Sequence, residues 1–342
     1  MERPALPDSV CQPPRVATGA SPQAVRIWQL VDFIDAHLSD ALSVDQLAAE
    51  IGLSRSHLIK RFEQEMGETP GEFIRRLRLE RAANFLLHDR STPLIDIALA
   101  CGFQSAAVFS RAFHDWFALS PTVWRQGEHW RRCGQGICWR QRCGDCRPVD
   151  SAYADTPQLQ AMRQHPFARG KPDSIRLDAA RQITLPDTDM VYLRGLNTSG
   201  IGRWLPLWQR WRAWASEQAS LPSGPYGAAL QHLDNANICL PHRSRADLGL
   251  LVARATPTPP GLARKAIAGG KYLLVPFNGT WLDEVLAHEY GWLTAFAAMG
   301  LRFDMHRASF KFFPHASAQP PCFADVGDGE AFAMHYAFAI SG

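Results

Sequence analysis

The feature that most limits how this chain can fold is a short grammar written twice, about fifty residues apart. The first copy reads Leu42-Ser43-Val44-Asp45-Gln46-Leu47-Ala48-Ala49-Glu50-Ile51-Gly52-Leu53-Ser54. A serine precedes the apolar run and a glutamine follows three residues later, the spacing of a capping box. Leu47, Ala48 and Ile51 share one helical face. Gly52 supplies the left-handed residue that stops a helix. Ser54 is placed to cap a second helix over 55–66, with Leu58 and Phe62 inward. In the second copy Thr92-Pro93 predicts a helix with proline at its first position. Ile95, Ala98 and Leu99 are expected to be its buried face. Gly102-Phe103 makes the turn, and Ser105 caps a helix with Val108, Phe109 and Phe113 buried and Arg111 outside. Both copies end alike, in Gly67-Glu68-Thr69-Pro70 and Ala118-Leu119-Ser120-Pro121, which marks an internal duplication. Each is a short helix, a turn and a capped second helix, the helix-turn-helix arrangement. Between them, 71–88 fits one long helix carrying Arg75, Arg76, Arg78 and Arg81, a set that also suits a solvated face.

With 342 residues the chain is long enough for about two domains. Hydrophobic residues make up 46% and charged residues 20%, so whole-chain disorder is excluded and real cores can form. No apolar run approaches the ~18 residues of a membrane span. The N-terminus lacks the apolar stretch of a secretory signal, so the expected compartment is the cytoplasm, at the nucleoid. Residues 1–21, with four prolines, read as a disordered lead-in. The net charge of +3 is too small to argue for nucleic acid alone, but residues 55–147 carry fifteen Lys/Arg against ten Asp/Glu.

Residues 22–130 resemble the AraC/XylS double helix-turn-helix DNA-binding domain. The second-unit signature appears as Leu94-Ile95-Asp96-Ile97-Ala98-Leu99-Ala100-Cys101-Gly102-Phe103, then Phe109-Ser110-Arg111-Ala112-Phe113, then Ser120-Pro121. The linker signature appears as Arg78-Leu79-Glu80-Arg81-Ala82-Ala83-Asn84-Phe85-Leu86-Leu87. The resemblance implies double-stranded promoter DNA as partner, read by two helices in successive major grooves about 34 Å apart. It places Ser56, Ile59 and Lys60 at the bases, with Arg55 and Arg61 nearby, and in the second helix Gln104, Ala106, Ala107, Ser110 and Arg111. Ala106 and Ala107 can offer only apolar contact to thymine methyls, so the first helix is expected to discriminate more.

Residues 131–187 read as a Cys-rich linker. Cys133, Cys138, Cys143 and Cys146 are spaced C-x4-C-x4-C-x2-C, with arginines that favour thiolate. Tetrahedral coordination by four thiolates is a structural zinc geometry, so Zn2+ is the expected ion. A thiol- or metal-responsive sensor and an unliganded basic tail also fit this spacing.

From residue 188 to 342 the pattern becomes α+β, in two similar β-α-β-β blocks. The first runs through strand 190–196, an aromatic helix near 204–219 and strands near 226–233 and 247–253. The second runs through strand 271–277, helix 282–299 and strands near 309–313 and 332–340. Trp204, Trp208, Trp211 and Trp214 fall on one helix face, where core packing competes with a pocket wall. The block order, Gly269-Gly270-Lys271-Tyr272, Gly279 and Trp292 resemble a GyrI-like effector-binding domain. That resemblance implies a small-molecule effector between the blocks, with Trp204, Trp208, Tyr226, Trp281, His288, Phe310 and Lys311 as candidate lining. Lys311 stands about where related domains carry a glutamate, which points to an anionic or neutral ligand or to a lost site, while Glu284 and Glu289 could restore acidity. With Lys311 at that place, and Phe313 where a tyrosine would stand, hydrolase chemistry is not expected and the chain reads as a non-enzyme. The expected function is a transcription regulator, with RNA polymerase as a further partner, whose C-terminal half senses a small molecule. A regulator responding through the cysteines is the alternative.

Overall fold

The computed structural model describes residues 19–88, 91–128, 173–198, 205–218, 220–221, 226–235, 238–280, 283–284, 287, 299–304, 306–313 and 331–341. The four cysteines of the linker, together with Trp204, Trp281, His288 and Glu289, lie outside them. Seven helices come first: α1 (Pro22–Ala36), α2 (Val44–Glu50), α3 (Arg55–Met66), α4 (Pro70–His88), α5 (Leu94–Ala100), α6 (Ala106–Phe117) and α7 (Pro121–Arg125). Their starts follow from local chemistry. Ser21 accepts from Ala24 N at 3.1 Å, with proline next in line. Ser43 and Gln46 form a reciprocal capping box. Thr69 and Glu72 make another at the head of α4, with Thr69 N donating to Glu72 at 3.0 Å. Gly102, at φ 79°, could not be replaced freely, because a Cβ there would meet Leu38 O at 2.6 Å.

Several expectations are corrected here. The lead-in is ordered at its end: Ala20 N donates to Gly261 O at 2.9 Å before Ser21 caps α1. Pro93 is the N-cap of α5 rather than its first helical residue. The buried side of α5 is Ile97, Ala98 and Cys101, whereas Ile95 and Leu99 are 42% and 51% exposed. Val108 is likewise 42% exposed. The α4 arginines are not a shared solvated face. Only Arg75 is exposed. Arg76 is buried on Glu68 (2.7 Å) and Glu80 (2.9 Å). Arg78 donates to Leu38 O and Asp40 O, and Arg81 to Asp35 O, so both tie α4 to the end of α1.

The second half is built on one antiparallel sheet. Its strands are β1 (Arg181–Leu185), β2 (Thr188–Leu196), β3 (Ala228–His232), β4 (Arg245–Val252), β5 (Ala263–Ile267), β6 (Gly270–Gly279), β7 (Phe310–Phe313) and β8 (Phe332–Ala339), with α8 (Leu205–Ser216) after β2. The order is β1-β6-β8-β7-β3-β4-β2-β5. It is a palindrome about the β7–β3 pair: β6, β8 and β7 stand on one side as β2, β4 and β3 stand on the other. The sheet starts earlier than the expected residue 188, and both edge strands are additions to the expected blocks. They are also exchanged. β1 precedes β2 in the chain but pairs with β6, while β5 precedes β6 but pairs with β2. The two blocks are therefore latched to each other at both edges.

The halves share a core. Trp28, Val31 and Ile34 of α1 and Leu58, Phe62 and Phe73 join one buried cluster with the sheet residues Met190, Leu193, Leu248 and Leu251. The second helix-turn-helix unit has its own core, in which Phe109, Phe113, Phe117 and Trp124 pack with Leu79 and Leu86. Among the described residues, Ile238 and Leu240 reach into it from the sheet half. Each such aromatic contributes roughly 1.5–3 kcal/mol by burial.

Candidate nucleic-acid interface

Helices α3 and α6 are built alike. Ser54 accepts from His57 N at 3.4 Å, and Ser105 from Val108 N at 3.3 Å, so each helix begins on a hydroxyl cap. Each ends on a left-handed residue, Gly67 (φ 72°) or Ala118 (φ 56°). Leu58, Phe62 and Met66 anchor α3, and Phe109, Phe113 and Phe117 anchor α6. The opposite faces are open. Arg55, Ser56, Lys60 and Arg61 are exposed and Ile59 is half-buried. Gln104, Ala107 and Arg111 are exposed, with Ala106 and Ser110 half-buried. The structure thus gathers each predicted set at the start of its own helix, with Gln104 in the turn just before α6.

The first set is polar and already partly organised. Arg55 pairs with Asp45 at 2.8 Å across the turn, an exposed contact worth at most ~1 kcal/mol. Arg61 donates to His57 Nε2 at 3.2 Å and to Gln64 at 3.3 Å. Lys60 has neither constraint among the contacts of this face. In the second set Arg111 is the single cation. A helix start suits phosphate or base edges because its first N–H groups and its dipole face outward.

The sheet half meets the helices on another side, through buried ion pairs. Arg194 on β2 holds Asp247 with two bonds of 2.7 Å, Asp32 on α1 at 2.6 Å and Trp28 O at 3.3 Å. Lys265 adds a bond of 2.5 Å to Asp247. Burial disfavours the charged Arg194, but the two carboxylates more than offset this and hold it protonated. Asp247 is held below the usual carboxylate range, because Arg194 and Lys265 outweigh its desolvation. Tyr192 donates to Asp32, and its phenol is pushed up mainly by burial. A second group joins Arg245, Asp234 and Asp35, with Arg245 2.7 Å from Asp234 and 2.9 Å from Asp35. Beside it burial raises the Glu80 carboxyl to about 7 despite the neighbouring Arg76.

The effector candidates within the described residues are mostly packed. Trp208, Trp211 and Trp214 are buried, Trp208 edge-on to Phe313 at 5.0 Å, and Trp214 Nε1 donates to Pro260 O. Tyr226 stacks on Phe312 at 4.7 Å, and Phe310 stacks on Phe312 at 5.5 Å. Lys311 does not present an unmatched cation: its Nζ lies 2.6 Å from Glu284 Oε1 and 3.1 Å from His232 Nε2. Tyr336 donates to Glu284 Oε1 at 3.0 Å, and burial, then the Glu284 charge, keeps its phenol well above the ordinary value. His232 and Tyr336 were not among the expected residues. Strand register was the signal that carried them, since Lys311 pairs across to Tyr336 on β8 and to Leu230, two residues before His232, on β3. Separately, a cleft of about 440 Å³ opens between the halves, lined by Trp28, Glu65, Arg194 and Arg210.

Comparison with known proteins bears on the helical half. A family model described as a helix-turn-helix domain matches residues 47–127. The Right origin-binding protein of Escherichia coli (strain K12) is 37% identical over 112 residues, 33% of this chain and 38% of that protein. The HTH-type transcriptional regulator ArgR of Pseudomonas aeruginosa is 32% identical over 112 residues, 33% of each chain. A transcriptional regulator of known structure from Chromobacterium violaceum, described as having an AraC-type DNA-binding domain, is 33% identical, with 30% of this chain and 89% of that one covered and a TM-score of 0.28. The chain spans less than half the length of the curated relatives it matches. Residues 47–127 thus match a helix-turn-helix domain, and about a third of the chain is similar to these regulators.

Proposed function

We propose that the chain is a sequence-specific transcription regulator: α3 and α6 read promoter DNA, and the sheet-bearing half, a GyrI-like module, senses a small molecule. The observation that carries the DNA reading is the pair of hydroxyl-capped helices whose first turns stay open while the sheet half docks on other sides. α4 is the rod between them, and three of its arginines, Arg76, Arg78 and Arg81, brace it while Arg75 faces solvent. The relatives named above as transcriptional regulators support the same reading. Sensing is supported by the Lys311–Glu284–Tyr336 cluster, and by a cleft whose walls would touch a ligand from both halves at once. A ligand switches the protein only if it binds two states unequally, and contact with both halves supplies that difference. RNA polymerase is the partner through which bound protein would change transcription. The test is binding of the full chain to genomic promoter fragments against shuffled duplex at moderate salt. A preference of at least ~100-fold for some fragment is expected. Equal binding to all duplexes, with and without small-molecule mixtures, would sink the proposal.

A further inference from the structure

Where the sheet half meets α4, a carboxylate oxygen of Glu80, a carboxylate oxygen of Asp234 and Cys239 Sγ lie within 4.8 Å of one another. We propose that these three side chains form a binding site for one thiophilic divalent cation of the Zn2+ class, which pins the rod between the two DNA-reading helices to the sheet. Its ligands include none of the four cysteines of the stretch at 133–146.

Three observations carry it. First, one Glu80 oxygen is poorly satisfied. Oε2 accepts from Arg76 at 2.9 Å, but Oε1 has no oxygen or nitrogen donor among the described residues, only the neighbouring Cys239 thiol, although the side chain is only 7% exposed. A buried carboxylate oxygen with so weak a donor is costly, and a thiophilic cation that takes the place of the thiol proton fits between oxygen and sulfur. Second, each ligand group is held from behind by a guanidinium. Arg76 Nη1 donates to Glu80 and, at 3.7 Å, to Cys239 Sγ, and Arg245 grips Asp234 with bonds of 2.7–3.2 Å. Donors of this kind orient ligating atoms and leave other lone pairs for a metal. Third, the charges do not balance without an addition. Glu68, Glu80 and Asp234 are three buried carboxylates against two buried guanidiniums, Arg76 and Arg245. At the rim Asp35 and Arg243 offset each other. One negative charge is left over. A divalent ion that displaces the thiol proton of Cys239 brings the cluster to neutrality, with that proton released to solvent. The competing occupant is a proton on Glu80.

The test uses the full chain with Cys133, Cys138, Cys143 and Cys146 changed to serine, titrated with Co2+ as a spectroscopic stand-in. Expected are one equivalent bound, a thiolate-to-cobalt absorption band in the near ultraviolet, and a midpoint of thermal unfolding that rises with Co2+ concentration. Cys239→Ser should abolish the band, and Glu80→Gln, which keeps its bond to Arg76, should weaken binding at least ~10-fold. No band in the parent chain would overturn the proposal and leave the proton as occupant. So would an unchanged band in Cys239→Ser, or equal affinity in Glu80→Gln. Because the parent titration is itself decisive, failure of either variant to fold does not rescue the idea.

Discussion

The two helix-turn-helix units superpose in sequence from Val44–Gly67 onto Leu94–Ala118, with Gln104 as one extra residue in the second turn. Core positions correspond: Leu47 and Ala48 to Ile97 and Ala98, and Leu58, Phe62 and Met66 to three phenylalanines. Outside the core the units part. Arg55, Lys60 and Arg61 of the first face Ala106, Arg111 and Ala112 of the second. Asp45, Ala49 and His57 correspond to Ile95, Leu99 and Val108, the exposed apolar residues of the second unit. Their surroundings differ as well. The first unit shares its hydrophobic cluster with the sheet, and the second packs mostly on its own aromatic cluster, with Ile238 and Leu240 reaching in. One fold, duplicated, has thus been given unequal tasks: a polar reader fused to the sheet half, and a less polar one standing more nearly alone.

The strongest way to break this comparison is to cut the fusion. Arg194→Ala leaves Asp247 and Asp32 facing each other without their shared cation, and Asp247 is fully buried. The expected loss is about 3–5 kcal/mol, read from denaturant unfolding. Amide exchange should speed up in α1 and α3 together with the sheet, while α5–α7 keep most of their protection. Uniform loss across both units would mean that they are one cooperative block. The same ion cluster sets the acid limit. Asp247 has its pKa depressed in the fold, so its contribution is complete above its ordinary value of 3.8 and disappears as pH falls below it. The melting temperature should therefore drop below about pH 4, and Asp247→Asn should flatten that drop on top of a lower plateau.

A second experiment sharpens the difference at the DNA. Lys60 and Arg111 occupy equivalent positions on α3 and α6, both exposed. Lys60→Ala should cost ~1–3 kcal/mol of preference for a specific site over shuffled duplex. Arg111→Ala, beside Ala106 and Ala107, should weaken both duplexes by similar factors, as loss of a phosphate contact does. Anisotropy titrations on the two duplexes measure both. If Arg111→Ala costs more discrimination than Lys60→Ala, the assignment of tasks is reversed.

How much of this was legible in the sequence depends on how local each signal is. The caps at Ser43, Ser54 and Ser105 and the turn at Gly52 act over three or four residues and are readable by eye. The buried side of α5 was not. Leu94, Ile95, Ile97, Ala98, Leu99, Ala100 and Cys101 are apolar almost all round, so periodicity cannot choose a face and tertiary packing does. β1 and β5 are short and partly polar, as edge strands are, and lack the alternation that marked the inner strands. Arg76 has its carboxylate partners Glu68 and Glu80 close by in sequence, but its contact in the sheet half, Cys239, is 163 residues away, so its burial could not be read locally. The Lys311 cluster draws on β7, β8, β3 and Glu284, and only strand register brings them together.

The smallest expected effect tests the ends of the two reading helices. Both close on a left-handed residue, but the first uses Gly67 (φ 72°) and the second Ala118 (φ 56°). In this region a Cβ crowds the following carbonyl, at roughly 1–2 kcal/mol for a non-glycine residue. Ala118→Gly removes that strain, and the added freedom of the unfolded chain returns ~0.4–1 kcal/mol of the gain. The net expectation is stabilisation of up to ~1 kcal/mol. The converse change, Gly67→Ala, introduces the strain in the first unit and should destabilise. Its Cβ would meet nothing closer than Arg243 Nη1 at 3.8 Å, so the loss would come from the backbone alone. Opposite signs in a pair of urea titrations would show that the two units stop their helices by one rule and differ only in how well each residue meets it. If Ala118→Gly destabilises instead, the cap of α6 is held by packing of the alanine methyl, and the second unit departs from the first even in its backbone.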